Sequence, residues 1–196
     1  MLDAEDAALE TTDEALIRRS AAGDRAAFDQ LVGRHGDALY RFAGRQCGSE
    51  REAEDALQDG LLAAWRGAST WRGEAAVRTW LYQVVLHACR RRTRRRSGEP
   101  AHHDSVEEAE GLAADDVSPD ERVAARQAAR ALEAALASLP EEAREVLLLR
   151  DVEGLSGAEA AAVLGVGLAA MKSRLHRARL DLKERVEAVL GRPLEA

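Results

Sequence analysis

Residues 97–120, SGEPAHHDSVEEAEGLAADDVSPD, contain no Lys or Arg, and this one segment divides the chain. It is rich in acids, Pro, Gly and Ser, and it lacks the apolar spacing of a helix. Its like charges repel, so it predicts an exposed acidic linker. On either side nearly everything reads as helix, because Ala, Leu, Arg and Glu dominate and β-branched runs are rare. The aromatics divide at the same place. Phe28, Tyr40, Phe42, Trp65, Trp71, Trp80 and Tyr82 all precede the linker, so a core built after it must use Leu, Val, Ala and Met. The expectation is an all-α chain: an acidic tail at 1–12, a helical unit at 13–96, the linker at 97–120 and a second small helical unit at 121–190.

The formal net charge of -7 argues mildly against a nucleic-acid partner until it is divided. Residues 15–96 carry +7 and residues 122–196 carry +1, while residues 1–14 and 97–121 carry -6 and -9. Opposite-sign blocks of this kind suggest tails and linkers that act on partners. No run approaches the roughly 18 consecutive apolar residues of a membrane span. The first residues, MLDAEDAALE, are acidic where a signal peptide is basic and then apolar. The reading is a cytoplasmic protein with no membrane insertion. Two cysteines, Cys47 and Cys89, are too few for a disulfide framework or a four-Cys zinc site and read as buried or idle thiols. There is no Gly-rich phosphate loop and no Ser/His/Asp or Cys/His arrangement, so no catalytic residue, no enzyme and no cofactor is expected. His102-His103-Asp104 has ligating side chains but no third fixed ligand in a flexible segment, so no metal is expected.

The helices can be placed from their caps. The first opens at Thr11 or Thr12, with Glu14 completing a capping box from Thr11, and Gly23-Asp24 ends it. A second carries Phe28, Leu31 and Val32, and a third runs from Asp37 to about Cys47. Ser49 caps a fourth, with Ala53, Ala56, Leu57, Gly60, Leu61, Ala64 and Trp65 on one stripe. The loop RGASTWRGEAAV follows, then TWLYQVVLHACRRRTRRR, apolar first and then almost entirely Arg. After the linker, a helix from Pro119 to Leu139 would bury Val123, Ala128, Leu132, Ala135 and Leu136. Ser138-Leu139-Pro140-Glu141 reads as a helix start with Ser at the cap. Ser156 and Glu159 form another capping box, Gly165-Val166-Gly167 makes a tight turn, and a basic helix begins near Leu168. This is the outline of a helix-turn-helix.

On that last helix Met171, Leu175, Ala178 and Leu182 form the packing face, while Lys172, Arg174, His176, Arg177 and Arg179 point outward. In a helix-turn-helix such residues meet base edges and phosphates in the major groove. Arg90–Arg96 is too dense in one charge for an ordinary solvated face, and a polyanion would stabilise it. From charge alone DNA, RNA or a membrane surface would serve. Trp71, Trp80 and Tyr82 are placed to stack unpaired bases or to fill a core.

With these motifs in hand, FDQLVGRHGDALYRFAGR, SEREAEDALQDGLLAAWRG and RTWLYQVVLHACRRR resemble conserved region 2 of extracytoplasmic-function sigma factors of the sigma-70 family. LASLPEEAREVLLLRDVEGLSGAEAAAVLGVGLAAMKSRLHRAR resembles their region 4. The resemblance implies an alternative sigma factor that binds core RNA polymerase and directs promoter recognition, melting and initiation. It implies that Asp55, Gln58, Asp59 and Leu62 dock on the beta-prime clamp helices, with the beta flap as a second polymerase contact. The minus-ten element would meet Trp71, Arg72, Trp80, His87, Arg90, Arg91, Arg94 and Arg95, with one base flipped into a pocket. The minus-thirty-five element would meet Ala169, Ala170, Lys172, Ser173, Arg174, His176, Arg177 and Arg179. An anti-sigma factor is the further implied partner. The sequence departs from the family pattern at His87, where Asn is usual, at Arg91, where an acid is usual, and at Leu168-Ala169-Ala170-Met171, which replaces a small-Gly-Thr-Val start.

Two other readings fit the residues: a two-domain helix-turn-helix regulator that binds duplex DNA without polymerase, and a helical adaptor whose Arg run binds acidic proteins or membrane. The acidic segments also lead to the expectation that the free chain binds promoter DNA poorly.

Overall fold

In the computed structural model, residues 12–96 and 119–191 are described, and among them there are eight α-helices and no strand. α1 (Asp13–Ala21) starts at Thr12, whose hydroxyl accepts from the Ala15 amide at 3.2 Å. Thr12 is therefore the cap, and Thr11 lies outside the described residues. α2 (Arg25–Gln46) is capped by Asp24, which accepts from the Ala27 amide at 3.1 Å.

α2 is one continuous helix where the sequence suggested two. Gly33 and Gly36 keep helical geometry, although each costs about 1 kcal/mol relative to Ala. Leu31 on one side and Leu39 and Phe42 on the other are fully buried, each worth about 1.5–3 kcal/mol. Arg34 and His35, between the glycines, are both tied to Asp13 of α1, at 2.9 and 2.6 Å. Burial and anchoring on both sides outweigh the glycine cost.

α3 (Glu50–Gly67) is capped by Ser49, which accepts from the Glu52 amide at 3.3 Å. A 3-10 turn (Ala68–Thr70) and a loop lead to α4 (Val77–Arg96). α3 and α4 approach so closely at Gly60 that a Cβ there would stand 3.1 Å from the Val85 Cα. Edge-on ring pairs, Phe28 with Trp65 and Phe42 with Tyr82, each 5.3 Å between centroids, fill the space among α2, α3 and α4.

Beyond the acidic segment, α5 (Pro119–Ser138) buries Ala131 and Ala135, with Leu139 just past its end. The expected stripe is corrected: Ala128 is exposed and Leu132 is 42% exposed. α6 (Glu141–Leu147) has Pro140 at its cap position. Ser138 does not cap it, because it is still the last residue of α5 and its hydroxyl donates to the Ala135 carbonyl at 2.8 Å. A π turn (Leu148–Val152) continues α6, and Gly154, at φ 68, ends it.

α7 (Gly157–Leu164) opens with the full Ser156–Glu159 box, at 3.2 and 2.8 Å. It closes on Gly165 at φ 70, a conformation that costs other L-residues about 1 kcal/mol or more. α8 (Leu168–Leu190) buries Met171, Leu175 and Ala178, as its spacing predicts. The two units are packed together: α7 lies against α4, and α6 meets α2.

Candidate interfaces for nucleic acid and a protein partner

Asp55, Gln58, Asp59 and Leu62, exposed or half-exposed on α3, fall into two pairs. Gln58 and Leu62 line a groove of about 720 Å³ between α2 and α3, floored by Phe28, Val32, Leu57 and Trp65. Leu62 is 44% exposed there, an apolar side chain held in water. Such a groove accepts a partner helix by apolar contact with a polar rim. Asp55 and Asp59 lie on the opposite flank, where one Arg92 guanidinium reaches both, at 2.9 and 2.8 Å. Each carboxylate remains 45% exposed. Their first task is therefore to fasten α4 to α3. Two acids four residues apart facing an arginine run were the available signal for that role.

The arginine run is less uniform than its charge suggested. Arg90 makes two hydrogen bonds to Glu145 of α6, at 2.6 and 2.7 Å, and the Glu145 side chain is 1% exposed. The Glu145 hydrogen bonds raise the Arg90 pKa further. In this arrangement Arg90 is committed to the other unit and is not presented to a phosphate. Arg91 and Arg94 are exposed, and the Arg94 Nε–H donates to the Arg90 carbonyl at 3.3 Å. The Arg95 side chain lies outside the described residues. His87 is exposed on the same helix, and partial burial together with Arg90, Arg91 and Arg94 holds its imidazole pKa below the usual 6.5. It is accordingly neutral at pH 7.

Trp71 is half-buried, donates from its indole N–H to the Ala75 carbonyl at 3.0 Å, and carries the Arg18 guanidinium 6.0 Å from its ring centre. Arg72 beside it is exposed. Trp80 is half-buried against the core. Tyr82 is only 1% exposed and donates its hydroxyl to Glu153, which together with burial pushes its pKa up. Tyr82 is therefore a core residue, and the stacking role open to it in the sequence is corrected.

On α8, Ala169, Ala170, Lys172, Ser173, His176 and Arg177 are exposed after the Gly165 turn. The Arg177 Nε–H donates to the Ser173 carbonyl at 3.3 Å, which holds the guanidinium along the helix. Two of the basic residues expected to be free are paired instead. Arg174 lies 3.2 Å from Glu142, and Arg179 makes two hydrogen bonds to Asp151, at 2.9 and 2.6 Å. Those pairs are at the surface, where exposed ion pairs contribute only about 0–1 kcal/mol, so a phosphate can displace them.

The junction between the units carries polar contacts beside apolar packing, since one cluster of buried apolar residues runs through both units. Besides Arg90–Glu145, the Thr79 hydroxyl donates to Glu159 at 3.1 Å, and Arg78 donates to the Glu153 carbonyl. The sequence marked Glu159 only as a capping residue and gave no sign of Glu145 or Glu153, since nothing local marks an acid whose partner lies on a different helix far along the chain. Among the described residues no group of three metal-ligating side chains occurs, and no helix is long and apolar enough to cross a membrane. His102, His103 and Asp104 lie outside those residues.

Comparison with known proteins matches two family descriptions: Sigma-70 region 2 over residues 31–99, and Sigma-70, region 4, over residues 129–182. The chain is 40% identical over 174 residues to the ECF RNA polymerase sigma factor SigM of Mycobacterium tuberculosis, covering 88% of this chain and 84% of that protein. It is 35% identical over 184 residues to the RNA polymerase sigma factor CnrH of Cupriavidus metallidurans, covering 91% and 96%. The solved structure of CnrH in complex with the cytosolic domain of CnrY aligns with a TM-score of 0.66 at 30% identity, over 90% of this chain and 97% of that one.

Proposed function

This chain belongs to the extracytoplasmic-function sigma factors of the sigma-70 family, and from that membership we propose how its surfaces divide the work. It is an alternative sigma factor, a non-catalytic protein that binds core RNA polymerase and directs promoter recognition and transcription initiation. Its place of action is the cytoplasm, where its polymerase is.

The groove between α2 and α3, with Gln58 and Leu62 on its wall, is the docking surface for the polymerase clamp helices, and Asp55 and Asp59 add acidic contacts from the opposite flank of α3. The loop at Trp71 and Arg72 and the α4 face at Trp80, His87, Arg91, Arg94 and Arg95 meet the minus-ten element, with Arg90 joining once Glu145 is released. Captured bases make melting feasible: separating a step costs about 1.4 kcal/mol of stacking. Holding one base on an aromatic returns about 1–3 kcal/mol. The exposed start of α8, led by Lys172 and Arg177, reads the minus-thirty-five element. The unit boundaries follow the acidic segment, with 13–96 for polymerase and the minus-ten element and 121–190 for the minus-thirty-five element. The relative CnrH is held by the cytosolic domain of CnrY, which supports an anti-sigma factor as a partner here as well.

The observation that carries this reading is the pairing, in one chain and in this order, of an apolar groove beside a basic helix with a helix-turn-helix whose second helix is exposed and basic. Pull-down of core polymerase and in vitro transcription over a promoter library test it. Transcription from a defined promoter class is expected. A chain that ignores core polymerase but binds duplex DNA tightly would favour the regulator reading. Lys172→Ala with Arg177→Ala is expected to lower upstream-element affinity about tenfold or more while core binding is unchanged.

A further inference from the structure

Cys47 and Cys89 are 42 residues apart in sequence, yet their sulfurs lie 3.3 Å from one another, and neither is in a disulfide. Cys47 ends α2 at its C-cap and is partly exposed, whereas Cys89 lies inside α4 and is fully buried. Nothing in the sigma role uses either thiol. The pair sits where the two units meet: Cys47 ends α2, which meets α6, and Cys89 directly precedes Arg90, which is bonded to Glu145 of α6. A disulfide bond needs about 2.05 Å between sulfurs, so the two must approach by only about 1.2 Å, within reach of small side-chain rotations.

We propose that Cys47 and Cys89 form an oxidation site that a hydroperoxide converts into an intramolecular disulfide. The accessible Cys47 sulfur, as thiolate, attacks the peroxide oxygen. The O–O bond breaks, Cys47 becomes a sulfenic acid, and hydroxide leaves to take up a proton as water. The Cys89 sulfur then attacks the Cys47 sulfur. The S–S bond forms, the S–O bond breaks, and the departing hydroxide takes the Cys89 proton to give a second water. Two thiols and one hydrogen peroxide give one disulfide and two waters. Burial and the hydrogen bond with Cys47 raise the Cys89 pKa, so Cys89 keeps its proton until the second step, the role of a resolving thiol. The closed ring encloses α3 and most of α4, and it ties the end of α2 to the position just before Arg90.

The full chain, reduced and freed of reductant, is treated with hydrogen peroxide and its intact mass measured. The monomer is expected to lose about 2 Da, the mass of two hydrogens. A non-reducing digest should contain the peptide of Cys47 joined to that of Cys89, and dithiothreitol should restore the original mass. Cys89→Ser should gain oxygen at Cys47 without any cross-link. Wild-type protein that gains oxygen at Cys47, links only between molecules, or keeps both thiols titratable would overturn the proposal. If Cys89→Ser does not fold, as circular dichroism will show, the wild-type mass and digest alone decide.

Discussion

His87 occupies a position where the family pattern has Asn, and its surroundings explain how an imidazole can stand there. Burial and three neighbouring guanidiniums disfavour its charged form, so it offers one neutral donor and one acceptor, as an amide does. The sign of the effect on stability follows. Above the usual 6.5 both folded and unfolded forms are neutral and the group contributes nothing. As pH falls through 6.5 the unfolded chain takes up its proton first, so stability declines until the folded imidazole titrates at its lower pKa. An NMR titration of the ring is expected to place the His87 midpoint below 6.5, and a midpoint above it would contradict the neutral reading. At the same scale, Arg92 shows that one side chain in a run of like charges can be structural, since two carboxylates claim it.

Among the elements, the α3–α4 pair depends most on a single atom that is missing. Gly60 costs helix propensity, and replacement by Ala would recover about 1 kcal/mol if the site were open. It is not open, because the added carbon would stand 3.0 Å from Val85 Cγ2 and 3.1 Å from the Val85 Cα, and backbone cannot rotate away. Overpacking of this kind costs about 1–3 kcal/mol. Gly60→Ala is therefore expected to destabilise the first unit by up to about 2 kcal/mol in urea unfolding, and Gly60→Val by more. A stabilised Gly60→Ala would mean that α3 and α4 are further apart than described. The same displacement would shift Arg92 from Asp55 and Asp59, so core binding should weaken along with stability.

At the scale of the molecule, the packing of α7 on α4 and the Arg90–Glu145 pair describe a chain whose two helical units are closed on each other. A globule of 196 residues has a radius of gyration of about 16 Å. On the assignment proposed above, each unit meets a different promoter element, and engaging both would part the units. Their junction combines charged hydrogen bonds with apolar packing continuous with the core, and removing one partner of a buried pair costs about 3–5 kcal/mol. Glu145→Ala is expected to enlarge the free chain in small-angle scattering and to raise its affinity for a minus-ten single strand. An unchanged radius and unchanged affinity would show that Arg90–Glu145 does not hold the closed form. The acidic segments carry the expectation of a second restraint: the free chain should bind promoter DNA poorly, and tight, salt-sensitive binding would contradict it.

The sequence by itself determined what depends on neighbours within a turn or two. The helical content, the Ser49 and Ser156 caps, the Gly165 turn and the Met171–Leu175–Ala178 face were all legible, because capping and amphipathic spacing act over three to four residues. The exposed basic start of α8 was legible for the same reason. Only the tertiary structure decided that α2 runs unbroken, since Asp13 and the core on both sides of Gly33 and Gly36 hold it. It alone assigned Arg92 to α3 and Arg90 to α6, withdrew Tyr82 into the core and brought Cys47 to Cys89. Those partners lie 33 to 71 residues apart in the chain, and no local propensity acts over that distance.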